Sequence, residues 1–298
     1  MTPTSTDAVS GVPLPVAWNG LDLCVPAAWR PMRLGPGYLY LEDDRGPAFE
    51  VKWRRGAGRA GMKAALRALT PRGMATAGGV LPDAWLAALA DFELMPLTWS
   101  RAGRTGLGAA LFCPECGLAA VFQGYGGPDG PDAGRVAELA AVLGSLDHHR
   151  PGPPAFRVFG LSFAAPPGFA LAGFHFAPGR FSLSLQQGRQ RLDVVRLAPA
   201  DVLLARDSLA TVAALAFGLD PAVPATGGSL GAAPAVWLAE RQGRGGLDGL
   251  ARALGRPGRL AVLRHEAGVN KLLGAALRAP KPVDRDWLAE AAARCVSL

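Results

Sequence analysis

"GLDLCVPAAW", residues 20–29, and "GLSFAAPPGF", residues 160–169, are one pattern written twice, 140 positions apart. Gly20 answers Gly160, Leu21 answers Leu161, Leu23 answers Phe163, Pro26 answers Pro166 and Trp29 answers Phe169. Self-similarity at a long offset is the mark of a duplicated structural unit. The match continues with small loop insertions: "GYLYLE" from Gly37 lies over "GRFSLS" from Gly179, and "FEVKW" from Phe49 over "LDVVR" from Leu192. Leu39, Leu41, Phe49 and Val51 alternate with polar residues, as do Phe181, Leu183, Leu192 and Val194. Period-two alternation predicts half-buried antiparallel strands with one face on a core.

Later signals recur too. "GAALFCPECGLAAVF" (residues 108–122) pairs with "LAVLRHEAGVNKLL" (residues 260–273), Gly117 over Gly268, and both read as two strands about a tight turn. Each half then closes with a helix opened by an aspartate, Asp132 or Asp284. In the first of these helices Val136, Leu139, Ala140 and Leu143 share one face. The predicted class is α+β: two tandem repeats, each an antiparallel sheet with flanking helices, packed as a pseudo-twofold pair. "DHHRPGPPAF" reads as a short stiff connector, so the repeats span residues 1–150 and 151–298. The first carries CPECG and the second lacks the cysteines.

The opening pattern of each half, an apolar strand, Pro26 and Trp29, then a hairpin, resembles the start of Mog1/PsbP-like α+β domains. The likeness covers roughly the first 35 residues of each half. It implies a fold used mainly to bind other macromolecules, and it brings no catalytic residue with it.

Half of the 298 residues are hydrophobic and 18% are charged, enough to build ordered cores. The first eleven residues lack the basic start and apolar run of a secretory signal, and no apolar run approaches the roughly 18 residues that span a bilayer. The expectation is a cytoplasmic protein with no membrane partner. Four cysteines (24, 113, 116 and 295) are too few for a disulfide framework in a chain this long. The net charge of +7 is uneven: residues 1–150 hold fourteen basic and fourteen acidic side chains, residues 151–298 seventeen and ten. Residues 51–82 hold seven basic side chains and no acid. Such a field favours anionic partners.

Gly56, Gly58 and Gly61 have the GxGxxG spacing of a dinucleotide loop. Three features speak against that use. "FEVKW" alternates apolar with charged residues, whereas the first strand of a doubly wound sheet is nearly all apolar; no second strand ends in an acid; and the repeat places "PADVLL" at the same turn without a glycine. What remains is a basic face, Arg59, Lys63 and Arg67, at helical spacing. With Trp53, Arg54 and Arg55 it forms the expected contact surface for an anionic or macromolecular partner. Nucleic acid is an allowed partner that nothing singles out, since no aromatic-basic strand for base stacking is present, and an oligomer is equally allowed.

"CPECG" is the sharpest local signal. Two thiols two residues apart, with proline stiffening the loop and glycine permitting the turn, have the form of a zinc half-site; a metal-free turn with two thiols is the equal alternative, since the second half keeps the turn without the cysteines. The same spacing serves thiol redox enzymes, but "LAAVFQGYG" is too short and glycine-bounded for the helix that redox chemistry uses. A structural zinc needs four ligands. Cys24, His148, His149 and Cys295 are the remaining candidates, as is the same loop of a second protomer. Cys24 is expected to point away from the core, and the two histidines read as a solvated pair at a helix C-terminus.

"GGSLG" (residues 227–231) has the spacing of a nucleophile elbow but no parallel strands around it. His265–Glu266 and the acids of residues 42–44 read as solvated turn residues. No stretch specifies a reaction. The expected function is non-enzymatic binding or scaffolding of an anionic or macromolecular partner; the competing expectation is a zinc- or thiol-dependent enzyme centred on Cys113 and Cys116.

Overall fold

Asn19 and Gly20 both adopt positive φ, the geometry of the two-residue turn that matches the twist of a hairpin. They join β1 (Leu14–Trp18) to β2 (Leu21–Val25), with Trp18 opposite Leu21. The computed structural model describes residues 12–56, 76–101, 104–127, 129–149, 152–240, 258–280 and 283–298. The chain divides into two compact units, Met1–Pro151 and Gly152–Leu298.

In the first unit, β3 (Arg30–Gly35), β4 (Tyr38–Asp43), β5 (Gly46–Arg54), β6 (Thr76–Ala77), β7 (Glu93–Arg101), β8 (Arg104–Phe112) and β9 (Ala119–Tyr125) form an antiparallel sheet. Its order is β3-β4-β5-β9-β8-β7-β6. The alternation in the sequence decides its faces: Leu39, Leu41, Phe49, Val51 and Trp53 are buried while, apart from the small Ala48, their neighbours along the strands are not. Helices α1 (Asp83–Ala88) and α2 (Ala133–Gly144) cover that face. Trp85 of α1 packs edge-on against Phe122 and donates from Nε1 to the Val136 carbonyl of α2 at 2.9 Å. Gly124 is the close-approach point: a Cβ there would run into Leu139 and Trp85. Asp132 caps α2 by accepting from the Arg135 amide at 2.7 Å.

In the second unit, β10 (Ala155–Val158) pairs with β11 (Leu161–Ala164), again through two positive-φ residues, Phe159 and Gly160. The main sheet contains β12 (Ala170–Ala177), β13 (Arg180–Gln187), β14 (Gln190–Leu197), β15 (Ala225–Leu230), β16 (Ala233–Glu240), β17 (Gly258–Glu266) and β18 (Lys271–Ala279). Its order, β12-β13-β14-β18-β17-β16-β15, is the strand order of the first sheet. Helices α3 (Ala200–Leu204) and α4 (Leu209–Phe217) supply a core with Val195, Leu197, Leu238, Leu263 and Leu272. Helix α5 (Arg285–Ala293), capped by Asp284, buries Leu288, Ala291 and Ala292. Arg264 ties down its end, donating to the carbonyls of Ala292 and Cys295 at 3.1 and 2.5 Å.

The molecule is therefore largely antiparallel sheet with helices packed on it, an α+β structure. Several expectations need correction. The chain does not end in a helix: β19 (Cys295–Ser297) follows α5 and pairs with β11. The tight turn of the second hairpin is closed by Asn270, at φ 53°. Of the acids of residues 42–44, Asp44 is exposed in the turn as expected, but Asp43 is not solvated: its side chain, 6% exposed, meets Arg135 at 2.6 Å. Glu266 likewise accepts from buried Arg264 at 2.7 Å.

Candidate metal centre

The β8–β9 connection is built by its own sequence. The Cys113 amide donates to the Leu118 carbonyl at 2.9 Å, the Gly117 amide donates to the Cys113 carbonyl at 3.0 Å, and Gly117 sits at φ 67°. Only a residue without Cβ adopts that left-handed turn at no steric cost. The turn brings both thiols to one side, with the amide of Cys116 bonded toward the Cys113 sulfur and that of Leu118 toward the Cys116 sulfur.

The other half of the cluster arrives from the segment after α2. Ser145 ends that helix, accepting from the Cys24 amide at 2.8 Å. Asp22 and Asp147 exchange backbone bonds at 3.1 and 2.8 Å, so the segment runs as an extra rung beside β2. Arg55, just past β5, donates from Nη2 to the carbonyls of Gly20 and His148, the latter at 3.0 Å. These contacts turn His148 and His149 back over the CPECG loop.

The sulfurs of Cys113 and Cys116 and a ring nitrogen from each of His148 and His149 lie within 4.8 Å of one another. Zinc at its usual bond lengths sets its tetrahedral ligands about 3.3–3.8 Å apart, so a contraction of about 1 Å would close the four around one ion. Cys113 Sγ is already 3.0 Å from His149 Nε2. The most telling residue is His148. It is 8% exposed, its ring lies 4.6 Å from that of Phe92, and neither ring nitrogen completes a hydrogen bond. A buried polar atom without a partner costs about 1–3 kcal/mol, and buried histidines normally satisfy at least one nitrogen. A metal would satisfy it.

The electrostatics of the four groups follow from this packing. Burial opposes ionisation of Cys113, yet the Cys116 amide and His149 outweigh it and hold the thiol below its usual range. Cys116 moves up, through burial and the neighbouring Cys113. Burial, then the charges of His149 and Arg55, push His148 down; the Leu146 carbonyl pulls the other way without completing a bond. The bond to Cys113 raises His149. Glu115 stands 3.4 Å from His149 Nδ1, on the side of the ring away from the sulfur. Outer partners of this kind orient metal-binding histidines.

Of the named candidates, the structure thus gathers Cys113, Cys116, His148 and His149. Cys24 is exposed and Cys295 is fully buried in the second unit; neither belongs to the cluster. The solvated-pair reading of the histidines fails for His148, because the Asp22–Asp147 rung and Arg55 fold the segment inward. The expected contact surface changes as well. Trp53 is 5% exposed and belongs to the core, since the alternation of β5 turns it inward with Phe49 and Val51. Arg54 is exposed; Arg55 is occupied by the two carbonyls it holds. Arg59, Lys63 and Arg67 lie outside the described residues. Strand β5, which leads into the glycine-spaced loop, is antiparallel to both β4 and β9, unlike the parallel strand that feeds a dinucleotide loop. GGSLG runs along edge strand β15 into a turn toward β16, where a nucleophile elbow needs a helix.

No protein family matches the chain, and no curated protein matches it. Among solved structures, a crystal structure from Bacteroides thetaiotaomicron is similar over 50% of this chain and 54% of that one, with 12% identity and a TM-score of 0.33. The chain thus spans about half the length of that protein. A conserved protein of unknown function with a hot dog fold from Alicyclobacillus acidocaldarius aligns over 79% of this chain and 94% of its own, with 11% identity and a TM-score of 0.14. No helix among the described residues is long and apolar enough to cross a membrane.

Proposed function

We propose that this is a zinc-holding, non-catalytic binding protein, in which Cys113, Cys116, His148 and His149 bind one structural zinc ion. The observation that carries the reading is the buried His148 ring with both nitrogens unpartnered, beside two thiols and a second imidazole. Four protein ligands fill a tetrahedron and leave no position for water or substrate, which is the mark of a structural site. The ion would join the β8–β9 turn to the segment after α2, two parts of the first unit that otherwise meet through the contacts of His149 with Cys113 and Glu115. A thiol-dependent enzyme with Cys113 as its nucleophile is disfavoured by the burial of that thiol, 2% exposed; Cys116 is half-buried.

The binding role rests on the architecture. The shared strand order of the two sheets supports two tandem α+β repeats, the resemblance to Mog1/PsbP-like domains rests on the opening pattern of each half alone, and the surplus of basic residues supports an anionic or macromolecular partner. The zinc reading is tested by the metal content of protein purified without chelator or affinity metal. About one equivalent of zinc is expected, lost in Cys113→Ser and in His148→Ala, with a tetrahedral S2N2 cobalt spectrum after substitution. Protein that retains zinc in both variants, or binds none when zinc is supplied, would refute it.

A further inference from the structure

The CPECG turn holds two thiols of unequal access. Cys113 is 2% exposed, whereas Cys116 is only half-buried. Their sulfurs lie within 4.8 Å of each other in one turn. Cys24 is exposed and outside the cluster, and Cys295 is fully buried within the second unit. An oxidised Cys116 therefore has one neighbouring thiol to react with, Cys113.

The imidazole half of the cluster cannot keep an ion by itself. His148 and His149 supply two nitrogens, which leave half of a zinc tetrahedron empty. Zinc takes its sulfur ligands as thiolates, and a sulfur joined in a disulfide carries no such charge. Loss of the two thiolates is thus loss of the site.

We propose that CPECG is a redox-controlled zinc clasp, in which a peroxide joins Cys113 to Cys116 and the ion leaves. The proposal rests on the zinc reading above. Peroxide, little larger than water, reaches the half-buried sulfur where bulkier reagents do not. The Cys116 thiolate attacks one peroxide oxygen, the O–O bond breaks, hydroxide leaves and the sulfur becomes a sulfenic acid. The Cys113 thiolate then attacks that sulfur and displaces a second hydroxide, which forms the S–S bond. Two electrons pass from the sulfurs to the peroxide, both hydroxides take up protons to become water, and zinc goes to solvent. A dithiol reductant returns both thiols and is itself oxidised. The Asp22–Asp147 rung and Arg55 hold the backbone of the histidine segment without help from the ion, so supplied zinc finds its nitrogen ligands in place.

The test uses the full chain with Cys24→Ser, which removes the exposed thiol outside the cluster. Reduced, zinc-loaded protein is treated with hydrogen peroxide beside a chromogenic zinc indicator. About one equivalent of zinc should be released. The protein should lose about 2 Da, with a Cys113–Cys116 disulfide in its peptide map. Dithiothreitol followed by added zinc should restore the metal content. Zinc that stays bound at peroxide levels that oxidise the unfolded chain would overturn the clasp and leave the zinc reading intact. So would release accompanied by a sulfinic acid on Cys116 that dithiothreitol does not reverse. Reduced protein that takes up no zinc would overturn both readings.

Discussion

Arg135 shows how much one side chain carries in the first unit. Its guanidinium lies 5.1 Å from the centre of the Trp29 ring and 2.6 Å from Asp43, and both charged side chains are almost fully buried. Arg45 joins from the surface, 3.2 Å from Asp43 and 3.1 Å from Glu138. Removing one member of a buried pair leaves the other charge uncompensated, so Arg135→Met should cost about 3–5 kcal/mol in urea unfolding. Arg135→Met combined with Asp43→Asn should recover much of that. Burial pushes the Asp43 carboxyl up, but bonds from Arg135 and Arg45 outweigh it and hold the group below the ordinary carboxylate range. Its stabilisation is therefore complete above the unfolded value of about 3.9 and is lost as pH falls through the lower folded value. Acid unfolding followed by circular dichroism should show the native protein losing stability below about pH 4, with a flatter profile in the double variant. In the sequence the three acids of residues 42–44 look like any polar turn, because their partner is 92 positions away.

At the scale of the element, the hairpin strands were legible and the loops between them were not. Alternation of apolar and polar residues marks β4, β5, β13 and β14 directly, and the aspartates before α2 and α5 announce their caps. CPECG was legible as a turn because Pro114 and Gly117 fix its backbone. In the second unit the equivalent turn is shorter, a 3-10 segment at Ala267–Val269 closed by Asn270, and the sequence match through Gly268 misplaces its corner. Gly117→Ala should cost about 1–2 kcal/mol, the penalty for a side chain in a left-handed conformation. Measured by urea unfolding with and without added zinc, that loss should be accompanied by weaker metal binding, because the same turn aims both thiols.

For the molecule as a whole, the four ligands all belong to the first unit. Scanning calorimetry with a strong chelator should lower the temperature at which the native protein begins to unfold. Thiol chemistry offers a second readout. Cys24 is exposed, whereas burial pushes the Cys295 thiol up to about 12. In zinc-loaded native protein a thiol reagent should therefore modify Cys24 alone; after chelation Cys116 and then Cys113 should follow, with Cys295 reacting only on unfolding. The thiol half of this centre could be read from spacing within five residues. Its imidazole half could not, because His148 and His149 reach the loop through contacts between β2 and residues 145–147, more than 120 positions apart in sequence.

The rung between Asp22 and Asp147 places the first strand pair of the first unit directly beside its last described segment. A module that begins and finishes at one spot resembles a bead with both thread holes on the same side. Its gene segment can be copied in series without rerouting its interior. The proposed doubling of this chain then required no new fold, and the metal-holding set could be carried by one bead's own side chains.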